Sequence, residues 1–128
     1  LSENIRVVSI VGRFLEHARA FLFLNGGSEE VYLSSADWMP RNLEKRIELL
    51  FPVTDPGARS RIRAILETYF RDEAKARELG PSGRWKPVKA RVGGGLSSQE
   101  EFRRVERERN AALAEPEAEL TVRRKPSD

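Results

Sequence analysis

The one histidine of the chain, His17, stands in "GRFLEHARAFLFL" with Arg13, Glu16 and Arg19 close by. Imidazole can serve as acid, base or nucleophile near neutral pH. A guanidinium presents a planar fork of donors that matches phosphate oxygens. Residues two apart in extended chain share a face, so His17 and Arg19 are expected to project together onto a phosphate group. Downstream, "SSADWMPRN" adds the Ser34 and Ser35 hydroxyls, Asp37 as a carboxylate partner for the imidazole, and Arg41 as a further cation unless it pairs with Glu44. Spacing alone does not separate such a site from a histidine that merely sits on a surface.

Several chemistries are excluded at the outset. The chain has no cysteine, which removes disulfides and thiolate metal sites. One histidine gives no basis for a self-contained zinc site, which takes three or four ligands. No apolar run approaches the roughly 20 residues that span a bilayer, and the start lacks the pattern of a secretory signal. A cytoplasmic location is the expectation, and Leu1 in place of Met is expected to mark a cut from a longer chain. The 128 residues suit one domain with a modest core. The net charge is +3, and the positive excess lies in residues 51–96, with 10 Lys/Arg against 5 Asp/Glu. That segment includes "GRWKPVKAR" and favours anionic partners: phosphate chains, nucleotides or nucleic acid.

The elements that must position these residues follow from pattern. "IRVVSIV" is β-branched and reads as a buried strand, with Gly12 permitting a bend after it. "AFLFL" and "EVYLSS" are two further strands around the hairpin signal "NGG". "LEKRIELLFPV", residues 43–53, reads as a fourth strand ending at its proline, after Pro40 breaks regularity. Asp55-Pro56 opens a helix as cap and first residue, and Ile62, Ile65, Leu66, Tyr69 and Phe70 give it an apolar stripe opposite Arg59, Arg63 and Arg71. "EAKARELGPSGRWKPV" predicts a peripheral hairpin. Gly93 to Gly95 read as a flexible joint. The Ser97/Ser98 to Glu100/Glu101 capping signature starts a last helix, whose sparse apolar edge (Phe102, Val105, Leu113) predicts loose docking or packing against something absent from this chain. Trp38 and Trp85 are read as packing residues. The expected architecture is α/β: a mixed sheet of about four strands with flanking helices, a small hairpin and a C-terminal helix. The domain is placed at residues 1–114 and a disordered charged tail at 115–128.

Three stretches, "NIRVVSIVGRFLEHARAFLFLNGG", "EEVYLSSADWMPRNLEKRIELLFPV" and "KARELGPSGRW", together resemble the C-terminal domain of polyphosphate kinase, the long-chain type with a phospholipase-D-like core. "VGRFLEH" and "SSADWMPRNL" are the most specific parts. The likeness covers about Asn4 to Arg91, with an extension through the final helix. Phospholipase-D-like cores have two similar halves, each bringing a histidine within H-x-K-x4-D and a later Gly-Ser-x-Asn segment. Here the first pattern becomes His17-Ala18-Arg19, with Leu24 where the Asp would fall, and the second becomes Ser34-Ser35-Ala36-Asp37. Loss of that Asp weighs against a phosphodiesterase role and agrees with the kinase branch.

The resemblance implies reversible transfer of the terminal phosphate of ATP to polyphosphate through a phosphohistidine carried on a preceding domain. His17 corresponds to the second histidine, associated with ATP binding and with proton donation during transfer. Arg19, Ser35 and Arg41 are the implied further ATP- or phosphate-binding residues, with Asp37 orienting. Mg2+ is implied as cofactor, its ligands outside this chain. ATP/ADP, polyphosphate, the preceding domains of the same polypeptide and a homo-oligomeric whole enzyme are the implied partners, and the isolated domain is expected to be inactive. Two other readings stand beside this one: a basic module binding nucleic acid or another polyanion through the middle segment, and a structural interaction domain with His17 as spectator.

Overall fold

The computed structural model describes residues 4–89 and 94–113. Its elements are β1 (Val8–Ile10), β2 (Ala20–Phe23), β3 (Glu30–Ser34), α1 (Pro40–Lys45), β4 (Leu50–Pro52), α2 (Pro56–Phe70), β5 (Ala76–Leu79), β6 (Trp85–Pro87) and α3 (Ser98–Leu113). The expected tail at 115–128 lies outside the described residues, as does the end of the basic segment at residues 90 and 91.

The α/β class stands, but the strands divide differently from one mixed sheet of four. They form two antiparallel three-stranded sheets, ordered β1-β5-β6 and β2-β3-β4. The "NGG" signal closes the β2–β3 hairpin through a 3-10 turn in which Asn25, Gly26 and Gly27 all take positive φ, the conformation that Asn and Gly reach at least cost. The second hairpin is not peripheral. β5 pairs with β1 in the register Val8↔Glu78, Ser9↔Arg77, Ile10↔Ala76, so it completes the sheet that precedes the His17 segment.

The stretch 43–53 divides at the point where one strand was expected. Pro40 sits at the first position of α1, where its locked φ suits a helix and its missing N–H would have had no intrahelical partner anyway. Leu43 to Lys45 are therefore helical, and only Leu50–Pro52 pairs with β3. α2 begins as its sequence signals: Asp55 caps it by accepting from Ala58 N at 2.7 Å, with Pro56 in the first turn. Arg59 and Arg63 of this helix converge on Glu29 at the foot of β3, which fastens α2 to the β2–β3 hairpin.

The last helix does not dock loosely at its start. Ser98 and Gln99 are buried, and Phe102 meets Tyr69 edge-on at 5.0 Å between ring centroids. Within the glycine run, Gly95 is a close-approach position rather than a joint: a Cβ there would strike Glu73, whose N–H bonds Leu96 O at 2.9 Å.

Among the described residues, the buried apolar side chains are Val31 and Ala76. Much apolar surface is uncovered. Phe21 and Tyr32 are directly paired across β2 and β3, and Phe23 and Leu50 fall on the same face of that sheet by alternation. Trp38, read from sequence as a packing residue, stacks on Phe21 at 6.2 Å yet is 76% exposed, because no element among the described residues lies over this face. Trp85 is likewise partly open.

Candidate functional site

The segment from Val11 to Arg19 connects the two sheets and carries His17. Every residue from Val11 to Ala18 is exposed, so the segment cannot be fixed by burial. Hydrogen bonds fix it instead. Gln99, in the first turn of α3, accepts from Phe14 N at 3.1 Å and donates to Phe14 O at 2.8 Å. It also donates to Glu16 Oε1 at 2.9 Å, while Tyr69 of α2 donates to Glu16 Oε2 at 3.0 Å. Burial first, and then the Glu16 carboxylate, push the Tyr69 phenol up to about 12, so it remains a donor at any ordinary pH.

The other end of the segment is held from β3, whose Ser34 N donates to Arg19 O at 2.9 Å, and from the β3–α1 loop. Arg19 donates through Nη1 to the backbone O of His17 at 2.6 Å and through Nη2 to Asp37 Oδ2 at 3.1 Å. His17 and Arg19 thus do not project side by side from one strand. β2 begins only at Ala20, and Arg19 folds back as a strut between His17 and Asp37. Asp37 reaches His17 through Arg19 and not through the imidazole. Among the described residues, nothing donates to or accepts from the His17 ring.

The remaining residues singled out from sequence fall in two groups. Ser35 accepts from Leu49 N at 3.0 Å and donates to Glu48, which ties β3 to the approach of β4. Ser34 donates to Leu49 O at 3.0 Å and accepts from Ala36 N. Both hydroxyls are used in shaping the loop that presents Asp37. Arg41, exposed in α1, makes no ion pair with Glu44 or with any other described residue, and so is an uncommitted cation. The carboxylates beside His17 do not suit a magnesium ion, because Glu16 is taken by Gln99 and Tyr69, and Asp37 by Arg19. Among the described residues, no group of three or more His, Cys, Asp or Glu is arranged to hold a metal, and no helix is long and apolar enough to cross a membrane.

Sequence reasoning missed Gln99, Tyr69 and Asp72. Asp72 is buried at the end of α2 and accepts from Lys75 N, Ala76 N, Ser98 N and Ser98 Oγ at 2.7 to 3.1 Å. It thereby caps α3 from a distance and fixes where Gln99 begins. A buried polar side chain whose partners lie 26 or 85 residues away leaves no local pattern to read.

An exposed histidine on a braced segment, beside an "SSADWMPRN" loop, is geometry that relatives can identify. Residues 1–99 match the family model described as polyphosphate kinase C-terminal domain 2. The chain belongs to that family. It is 57% identical over 91 residues to a polyphosphate kinase of Rhodopirellula baltica, covering 71% of this chain and 11% of that protein. It is 50% identical over 115 residues to polyphosphate kinase 1 of Chlorobaculum tepidum, covering 88% of this chain and 16% of that one. The fold is similar to that in the crystal structure of polyphosphate kinase from Porphyromonas gingivalis, with a TM-score of 0.76 and 40% identity over 86% of this chain and 17% of that one. This polyphosphate kinase domain therefore spans only a small part of the length of the relatives it matches.

Proposed function

We propose that this domain supplies the nucleotide side of the phosphoryl-transfer site in a polyphosphate kinase, which moves the terminal phosphate of ATP reversibly onto polyphosphate through a phosphohistidine on a preceding domain. The observation that carries this reading is the His17 imidazole, exposed and without a partner on a segment braced at both ends. Phosphoryl transfer asks the protein mainly for positioning and for neutralisation of developing charge. His17 contacts the nucleotide phosphates and donates a proton to the leaving oxygen. Arg41 is free to add positive charge. Arg19, Ser35 and Asp37 hold the frame, and Arg19 brings its charge as part of it.

Mg2+ in this reading neutralises nucleotide phosphate charge and takes its protein ligands from outside this chain. The preceding domains of the same polypeptide pack over the open Phe21, Phe23, Tyr32, Trp38 and Leu50 face, which supports a partner there because a soluble monomer seldom leaves so much contiguous apolar surface bare. The whole enzyme works as a cytoplasmic homo-oligomer, and the isolated domain does not turn over.

The test is ATP-dependent polyphosphate synthesis by the full-length enzyme with His17→Ala. A loss of about 10²-fold or more in turnover, typical of removing an acid–base group, is expected while the variant stays folded and keeps its assembly state. Unchanged synthesis would reduce His17 to a spectator and leave the domain a structural role.

A further inference from the structure

α3 reaches the His17 segment with two side chains: the Arg103 guanidinium stands over the Phe14 ring at 5.8 Å from its centroid, and Gln99 makes the hydrogen bonds. Gln99 is 6% exposed, and its carboxamide both accepts from and donates to the backbone of Phe14, 85 residues away in sequence. A carboxamide used in this way stands in for a pairing strand, since it offers one acceptor and one donor in the same plane. Its Nε2 makes a second bond, to Glu16 Oε1. Among the described residues, Gln99 is thus the one side chain that hydrogen-bonds both Phe14 and Glu16, immediately before His17.

A second position is specified for the same contact. A Cβ built at Gly12 would lie inside contact distance of the Gln99 carboxamide, against Oε1, Cδ and Nε2 together. Gly12 is not among the glycines with positive φ. Its backbone would accept other residues, so the bend expected from sequence is not what requires glycine. Room for Gln99 is. Burial does not hold the segment on this side, because Leu15 is 82% exposed and no residue from Val11 to Ala18 is buried; Gln99 is the side chain that bonds its backbone there, beside Tyr69 on Glu16 and Arg103 over the Phe14 ring.

We infer that Gln99 is a positioning residue for His17, fixing Phe14 and Glu16 so that the imidazole meets the nucleotide in one register, with Gly12 kept small to admit it. The inference rests on the reading of His17 given above. Gln99 touches no reacting atom; it acts through the backbone of the segment, and α3 is the element that carries it.

The test uses the full-length enzyme with Gln99→Met, which keeps volume and removes both hydrogen-bonding functions, and with Gly12→Ala, which crowds the same carboxamide from the other side. Gln99→Asn withdraws the carboxamide by one methylene and serves in place of Gln99→Met if that variant fails to fold. Each is expected to lower kcat for ATP-dependent synthesis about 10- to 10²-fold, the scale of a misplacement near 1 Å, at a temperature where circular dichroism shows the enzyme fully folded. The Gly12→Ala/Gln99→Ala double variant is expected to be no worse than Gln99→Ala alone, because the carboxamide that the added methyl would strike is then gone. Wild-type kcat in Gln99→Met and Gly12→Ala, with His17→Ala inactive, would overturn this inference and leave the role of His17 intact. Losses that disappear whenever the enzyme is fully folded would also overturn it, as would a double variant whose losses multiply. Wild-type turnover in His17→Ala would overturn both readings.

Discussion

Asp72 and Ser98 are joined twice: Asp72 Oδ2 accepts from Ser98 N at 2.7 Å and from Ser98 Oγ at 2.8 Å. Burial pushes the Asp72 carboxyl up, but the donors from Ser98, Lys75 and Ala76 outweigh it and hold the group below the usual carboxylate range. A group depressed in the folded state stabilises fully above its unfolded value and loses that contribution as pH falls through the folded value. Asp72→Asn is therefore expected to melt below wild type at neutral pH, with a gap that stays constant down to about pH 4 and closes below it. Asp72→Ala, which leaves three backbone donors and a hydroxyl without their acceptor, should cost about 2–4 kcal/mol. Thermal melts across the acid range check both.

The Arg19–Asp37 pair makes a contrasting prediction. Its side chains are 23% and 43% exposed, and exposed pairs contribute only about 0–1 kcal/mol. Asp37→Asn and Arg19→Lys should therefore leave melting nearly unchanged. A lysine has one ammonium and cannot span His17 O and Asp37 as the guanidinium does. Both variants should lower turnover of the full-length enzyme by about 10-fold, a tenfold change corresponding to about 1.4 kcal/mol in the barrier. Steady-state kinetics beside melting curves separates the two quantities.

Tyr69→Phe isolates a single hydrogen bond, since the ring and its edge-on contact with Phe102 remain. The expected cost is about 1 kcal/mol. The raised phenol value fixes its pH window. A group raised on folding stabilises fully below its unfolded value, about 10, and loses this as pH rises through about 12. The difference between wild type and Tyr69→Phe should hold to about pH 10 and shrink above it, measured by denaturant melts at alkaline pH.

The open face of β2-β3-β4 predicts behaviour of the 128-residue chain by itself. Trp38→Ser with Leu50→Lys should reduce its self-association, read as a lower apparent mass in sedimentation at matched concentration. In the full-length enzyme the same pair should be destabilising if, as proposed, the preceding domains cover the face. The two measurements are expected to move in opposite directions.

Where the fold was legible in the sequence, the signal was local. Asn25-Gly26-Gly27 predicts its turn because only a positive φ closes that hairpin, and Asp55-Pro56 predicts the start of α2 because cap and first-turn proline act within three residues. Leu43–Val53 misled because its apolar residues suit either period, and Pro40, which decides for helix, lies outside the stretch. His17, Arg41 and the "SSADWMPRN" loop are singled out by residue type and family likeness. The bracing is not. Arg19 turns back on its own neighbour, and Gln99 sits inside a run that also reads as an ordinary capping motif.

Gln99 follows Ser98 directly, and these neighbours look in different directions: one to the buried carboxylate of Asp72, the other to the backbone of Phe14. A helix turns about 100° per residue, so removing or adding one residue before Ser98 would exchange the two tasks and satisfy neither. Related chains should thus show length differences at the β5–β6 tip near Pro81 and Ser82, which is exposed, but not between Leu96, whose carbonyl is held by Glu73 and Ala74, and Gln99. The first turn of α3 is a fixed count.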